Sequence, residues 1–321
     1  MSKSGVLLAY LCVMLGVTGH ASSEFVSVLT GLFGPEVSVW RFMLGGLGLI
    51  TVSLIYPPSR DLLTPLRENG VRIAVLSIFG MTFGQLMFHW ALDYASVVQV
   101  ATVVTTMPIF VVIADHFINR TPLSTPKIVS GIGAFGGVAF LLTDGYLEQL
   151  RGTSDALVGV LLALGCALAG AVYMVLVKPM INRYGAIRMT TYTFALGAFA
   201  LFATVGLVWG IWVDPTTLFD RPPQQYMAMM TLGWWNTTIA MVLWLGGLAA
   251  VPDMGRANYL FFLKPVIAAG LAFFILGQSV SSIQMLAIVV ICGCVAVEVL
   301  WDQIQSVLGR RRPERAGTGA E

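Results

Sequence analysis

Apolar residues run along this chain in stretches of about 20, each long enough to cross a hydrocarbon core of about 30 Å at 1.5 Å per residue. Pro, Gly and charge clusters punctuate them. Cutting at that punctuation predicts ten membrane-spanning helices, near 5–29, 36–56, 71–93, 96–118, 125–143, 156–181, 186–212, 225–249, 254–276 and 282–303. No stretch remains for a sizeable soluble domain, so the expected fold class is an all-α membrane protein. Composition agrees: 57% of the 321 residues are hydrophobic and 11% charged, against about 25% charged in a soluble domain. Lys3 followed by the apolar run from Gly5 imitates a secretory leader, but everything downstream also spans, so the run is read as a first transmembrane helix.

Loop charges set the orientation. Lys3, Arg60, Arg67, Arg72, Arg120, Lys127, Arg183, Arg188 and the tail "GRRRPER" fall on one side, with Arg151 and Arg221 as the exceptions. The excess of Lys and Arg in cytoplasmic loops then puts both termini in the cytoplasm. A pI near 8.4 is accounted for by these topology determinants and implies no nucleic acid. The four cysteines, Cys12, Cys166, Cys292 and Cys294, lie within spans and read as small packing residues.

The second half echoes the first. "GPEVSVWRFMLGGLGL" from Gly34 parallels "GAIRMTTYTFALGAFA" from Gly185, and "VVTTMPIFVVIADHF" from Val103 parallels "LFFLKPVIAAGLAFF" from Leu260, with Pro108 and Pro265 in the same slot as expected helix kinks. Five spans per half is an odd number, so the halves enter the membrane from opposite sides. That is an inverted repeat, a construction common among secondary transporters. The expected units are residues 1–150, residues 151–305 and a basic cytoplasmic tail, 306–321.

"WRFMLGG" in the second span, a mid-helix proline in the fourth and ninth, and "TPKIVSGIGAFGGVAFLL" in the fifth give the chain, from about residue 4 to 305, a pattern that resembles the EamA-type drug/metabolite transporter superfamily. Within it the chain is most similar to the YddG-type amino-acid exporters. The resemblance implies a multi-pass carrier of the bacterial inner membrane that moves amino acids or other small metabolites out of the cytoplasm, with no cofactor and no metal. One departure matters: where the superfamily often carries a Leu-Gly-Glu signature after the fourth and ninth spans, this chain reads "FINRTP" and "ILGQSV", with Gln278 in the second glutamate slot.

Candidate site residues follow from depth. His20 lies roughly 22 Å from the cytoplasmic start of its span and Glu24 roughly 6 Å further. Arg41 and His89 reach a similar level, so four ionisable groups are expected to converge in the outer third. A charged group within the bilayer is costly and normally faces a wet cavity or a partner. Glu24 and Arg41 therefore either pair across two helices, line a solute path or gate, or relay protons. Gln85 shares a helical face with His89. Thr102 and Thr106 form a stripe before Pro108 that reads either as helix-packing glue or as cavity lining. Lys264, about 10 residues from the inner end of the ninth span, sits at the midplane and needs a cavity, a carboxylate partner or a substrate carboxylate.

Among aromatics, Trp209, Trp212 and Trp301 fit an interfacial belt. Of Trp234 and Trp235, beside Asn236, one is expected to face lipid and the other to offer an apolar plate to a solute, with Tyr173 in the corresponding sixth span; Tyr259 lies nearer the cytoplasmic entrance. Gly133 and Gly137, flanked by Gly131 and Gly136, offer a close-packing face within the protomer or for a homodimer. The expected function is export of neutral or aromatic amino acids by alternating access. The alternatives are export of another small solute or drug, or an intramembrane lipid-modifying enzyme, for which only His20, Glu24 and His89 would be at hand. No catalytic or nucleotide-binding motif supports an enzyme.

Overall fold

The structure is a computed structural model that describes residues 3–120, 128–129, 131–133, 136, 155–250, 260, 263–277 and 279–307. The described residues are helical and contain no strand. Ser4–Leu29, Gly34–Ile55, Thr64–Ala91, Val97–Asn119, Asp155–Tyr184 and Ala186–Trp209 are each long and apolar enough to cross a membrane. A further continuous helical run covers 223–250, and shorter apolar helices cover Val266–Leu276 and Met285–Cys294. The fifth expected span, 125–143, falls mostly outside the described residues, as do Gly137, Tyr259 and Gln278.

The helices are α1 (Lys3–Ala21), α2 (Ser23–Leu29), α3 (Gly34–Ile55), α4 (Thr64–Val75), α5 (Phe83–Ala91), α6 (Val97–Val104), α7 (Met107–Asn119), α8 (Asp155–Tyr184), α9 (Ala186–Trp209), α10 (Pro223–Met230), α11 (Ala240–Ala250), α12 (Lys264–Leu276) and α13 (Ser282–Val307). Their ends follow local chemistry. Phe33 is extended before Gly34-Pro35, and Pro35 opens α3 where its missing N–H would have no helical partner anyway. Ser96 and Gln99 close a reciprocal capping box at the start of α6.

Expected kinks at Pro108 and Pro265 turn out to be helix starts. Each proline is the second residue of a new helix of 13 residues, α7 or α12. Each of those helices ends on a left-handed residue, Arg120 (φ 56°) or Gly277 (φ 64°). The fourth span thus breaks at Thr105 and Thr106, because the proline ring cannot continue the preceding turn.

A second paired feature was not legible in the sequence. α4 and α5 are joined through a π-helical segment, Leu76–Thr82, and α10 and α11 through another, Thr231–Ile239. Threonine hydroxyls reach five residues back in both: Thr82 to the Ser77 carbonyl (2.7 Å), Thr237 to Leu232 (2.9 Å) and Thr238 to Gly233 (3.1 Å). Those bonds satisfy carbonyls in the widened turns. The two segments fall in corresponding spans of the two halves.

Packing exchanges partners between the halves. α1 lies along α11, and α8 lies along α5 and α7. α3 crosses the 231–239 segment while α9 crosses the 76–82 segment, and α3 and α9 pack on each other at the centre. α6 meets α12. Each half therefore buries its first helix against the other half. At one end, Glu68 takes Arg183 (2.7 Å) and the Tyr184 hydroxyl (2.6 Å), and the Tyr192 hydroxyl donates to the Leu62 carbonyl (2.8 Å). At the opposite end, Asp93 accepts the Gly34 N–H and Glu36 pairs with Arg221 at 2.8 Å.

Candidate functional site

Arg41 stands on α3 between α5 and the 231–239 segment, and its side chain ties all three together. Its Nε donates to Thr237 Oγ1 at 3.0 Å and its Nη1 to Gln85 Oε1 at 3.0 Å, with His89 Nε2 at 3.3 Å from the same nitrogen. Thr237 can accept because its own proton goes to the Leu232 carbonyl. An arginine N–H can only donate, so His89 Nε2 is the unprotonated ring nitrogen, and Nδ1–H donates to Ser38 Oγ (2.9 Å). Ser38 in turn is placed to donate to the Gly34 carbonyl (3.2 Å). Gln85 and His89 share a helical face, as the four-residue spacing predicts.

A second buried group lies beside the first. Lys264 Nζ sits 2.7 Å from Glu24 Oε1, and Ser23 Oγ lies 3.0 Å from Glu24 Oε2. Arg41 Cζ and Lys264 Nζ both lie over the Phe88 ring, 5.9 and 5.5 Å from its centroid. Glu24 is wholly inaccessible, and Arg41 and Lys264 are each 6% exposed. The expected convergence of His20, Glu24, Arg41 and His89 is thus redistributed. Arg41 joins His89, Glu24 joins Lys264 rather than Arg41, and the His20 ring meets the edge of Trp244 at 5.5 Å.

A cavity of about 120 Å³ adjoins this network, lined among others by Ser27, Gly34, Val37, His89, Leu92 and Asp93. His89 forms its inner wall, and Asp93, which holds the Gly34 N–H with both oxygens (2.9 and 3.1 Å), forms a second polar side. Solute pockets of drug-sized ligands run to about 300–1,000 Å³, so this space suits a compact group. Partial burial lifts the Asp93 carboxyl to about 6, against the opposing pull of the Gly34 N–H.

The remaining candidates fall elsewhere. The Thr102 hydroxyl bonds the Val98 carbonyl within α6 and the Thr106 hydroxyl, at the break after α6, bonds the Val103 carbonyl, both at 2.6 Å, which leaves them as packing groups. Tyr173 bonds Thr193 Oγ1 (2.7 Å) inside an apolar cluster with Ile73, Tyr184 and Tyr192, away from the cavity. Trp234 points outward, 38% exposed, on the side opposite the buried Asn236, two residues on. Asn236 is buried and donates to the Gly19 carbonyl (2.5 Å) and Ser22 Oγ (2.8 Å), tying the 231–239 segment to the first span. Tyr259 lies outside the described residues. Ser38, Phe88, Asp93 and Thr237 are the residues sequence reasoning missed. For Asp93 the only signal was a carboxylate next to the end of the third span.

A bundle of apolar helices in two halves, with a buried ion pair and a small cavity beside it, fits a membrane transporter of the two-repeat kind. The EamA-like transporter family model matches it twice, over residues 3–143 and 157–299, and the chain belongs to that family. Among its relatives are the uncharacterized transporter YyaM of Bacillus subtilis, 24% identical over 90% of this chain and 91% of that one, and an uncharacterized transporter of Clostridium kluyveri, 22% identical over 90% and 91%. The uncharacterized inner membrane transporter YhbE of Escherichia coli is 22% identical over 62% of this chain and 61% of its own. A solved crystal structure at 18% identity superimposes with a TM-score of 0.63, covering 97% of this chain and 100% of the other, a likeness of fold alone.

Proposed function

We propose that this transporter is a secondary carrier exporting small metabolites, neutral amino acids foremost, across the bacterial inner membrane by alternating access. Its units are residues 1–150 and 151–305, arranged as an inverted repeat, with the basic tail 306–321 and both termini in the cytoplasm. The loop lysines and arginines support that orientation. The observation that carries the reading is the pair of buried polar groups, Arg41 with Gln85 and His89, and Glu24 with Lys264, where helices of both halves meet beside a cavity. Charges at that depth are costly to keep and usually mark a solute or ion path.

In this orientation the Glu68–Arg183–Tyr184 contacts tie the cytoplasmic end and the cavity lies toward the opposite face. The exchanged packing of α1 and α8 supports rocking bodies that each draw helices from both halves. His20, Glu24, Arg41, Gln85, His89, Asn236 and Lys264 remain the proposed site and gate residues. The compact cavity favours small neutral amino acids over aromatic ones.

Purified protein in liposomes, given labelled alanine, serine, leucine and phenylalanine with and without an imposed pH gradient, tests this. Saturable uptake with competition among small amino acids is the expected result. Folded, inserted protein that takes up none of them would overturn the amino-acid reading.

A further inference from the structure

Arg41 carries a buried charge with no carboxylate among its hydrogen-bond partners in the described residues. All three of its acceptors among the described residues, Thr237, Gln85 and His89, are neutral. Glu24, the buried carboxylate nearby, is engaged by Lys264 at 2.7 Å. Counting Glu24, Lys264 and Arg41, the interior holds one more positive charge than negative, and the excess sits one histidine ring away from a cavity of about 120 Å³.

Resting on the carrier reading, we infer that Arg41, held between Gln85, His89 and Thr237, is the receptor for a single carboxylate group of the transported solute. The guanidinium fork matches a carboxylate in two parallel N–H···O bonds, and the match is strongest away from water. A dianionic phosphate fits the site poorly, since Lys264 is already neutralised and one cation remains. Gln85 is the group an incoming carboxylate displaces: its amide oxygen accepts from Nη1 without a charge of its own, whereas a carboxylate adds the attraction of an ion pair and a bidentate fit. Its release removes one of the two contacts between Arg41 and α5 and leaves His89 as the other, while Thr237 keeps Arg41 tied to the 231–239 segment. Binding is thereby coupled to a weaker hold of Arg41 on α5. The carboxylate could belong to a zwitterion, whose ammonium would then face Asp93 across the cavity, or to a simple organic acid.

The test is equilibrium binding to the full chain in lipid nanodiscs by calorimetry, with propionate, alanine, alaninamide and chloride as probes. Propionate, alanine or both should bind saturably, and alaninamide, which lacks the carboxylate, about tenfold or more weaker than alanine or not at all. Binding of alanine without propionate assigns a zwitterion, and the reverse assigns a simple acid. Arg41→Gln should lose about tenfold or more in affinity. Because that variant also removes three helix contacts, Gln85→Leu supplies the independent readout: with the competing acceptor gone, affinity should rise by a few fold, which loss of packing would not produce.

Alaninamide binding as well as alanine, chloride as the sole ligand, Gln85→Leu with unchanged or weaker affinity, or no binding by any probe would each overturn the inference. Uptake of a solute without a carboxylate, undiminished in Arg41→Gln, would also overturn it and leave the carrier reading intact. Propionate binding by protein that transports nothing would do the opposite.

Discussion

Lys264, the first residue of α12, reaches Glu24 on α2 with Nζ to Oε1 at 2.7 Å, joining helices 240 positions apart in sequence inside the bundle. Neither partner has solvent to fall back on, so removing one leaves the other charged and buried. Lys264→Ala should cost about 3–5 kcal/mol, the usual penalty for halving a buried pair. The double variant Glu24→Gln with Lys264→Met should recover much of that loss. Thermal unfolding in detergent of the two single variants and the double variant reads the coupling; additive losses would show that the two side chains act independently.

Glu36 and Arg221 provide the contrast. Their 2.8 Å ion pair lies near the end of the bundle, 15% and 23% exposed, with the Trp40 Nε1–H also reaching Glu36 at 3.3 Å. Solvent reaches both charges in part, so the pair lies between an exposed one, worth about 0–1 kcal/mol, and a fully buried one. Arg221→Ala should therefore lower stability by less than Lys264→Ala and respond to salt, whereas the Glu24–Lys264 pair should not. A loss as large as that of Lys264→Ala would mean the loop before α10 is held to α3 chiefly by this pair.

The spans were legible because hydrocarbon thickness sets one length for all of them. The paired prolines were legible because only two apolar stretches carry Pro in the same slot. The π-helical segments were not: Thr82, Thr237 and Thr238 bond carbonyls five residues back only where α9 and α3 cross them, a tertiary cause absent from local pattern. Depth arithmetic found Glu24 and Lys264 separately but not as partners, since it measures backbone position and ignores the reach of a lysine's four-carbon stem. Arg41 with Gln85 and His89 came closest to being read whole, because two of the three share one helical face.

Gly45 on α3 is a contact point on which the Arg41 network depends. A methyl group there would come within 2.6 Å of Thr237 Cγ2, and Thr237 is the residue that holds Arg41 Nε. Gly45→Ala should cost about 1–3 kcal/mol through overpacking and should weaken transport by misplacing Thr237. Gly46→Ala is the control, since its nearest neighbours are Phe194 backbone atoms at 3.4 Å, ordinary contact. Unfolding and liposome uptake measured on both variants should separate them; equal effects would remove the special role of the α3 crossing.

Asp93 predicts a pH dependence outside the spans. Partial burial raises its carboxyl from 3.8 to about 6, with the Gly34 N–H opposing the rise. Between those values the folded chain holds a proton that the unfolded chain has released. Stability from this group is therefore present below about 3.8, falls as pH rises through the window, and is level above about 6. Asp93→Asn keeps a carbonyl oxygen to accept the Gly34 N–H and abolishes the titration. Comparing midpoints of unfolding for the two proteins between about pH 4 and pH 7 cancels the other carboxylates, which both proteins share. The wild type should lose more stability over that range than the variant. Parallel profiles would mean that the folded and unfolded chains bind the Asp93 proton equally, and that its contact with Gly34 is independent of charge.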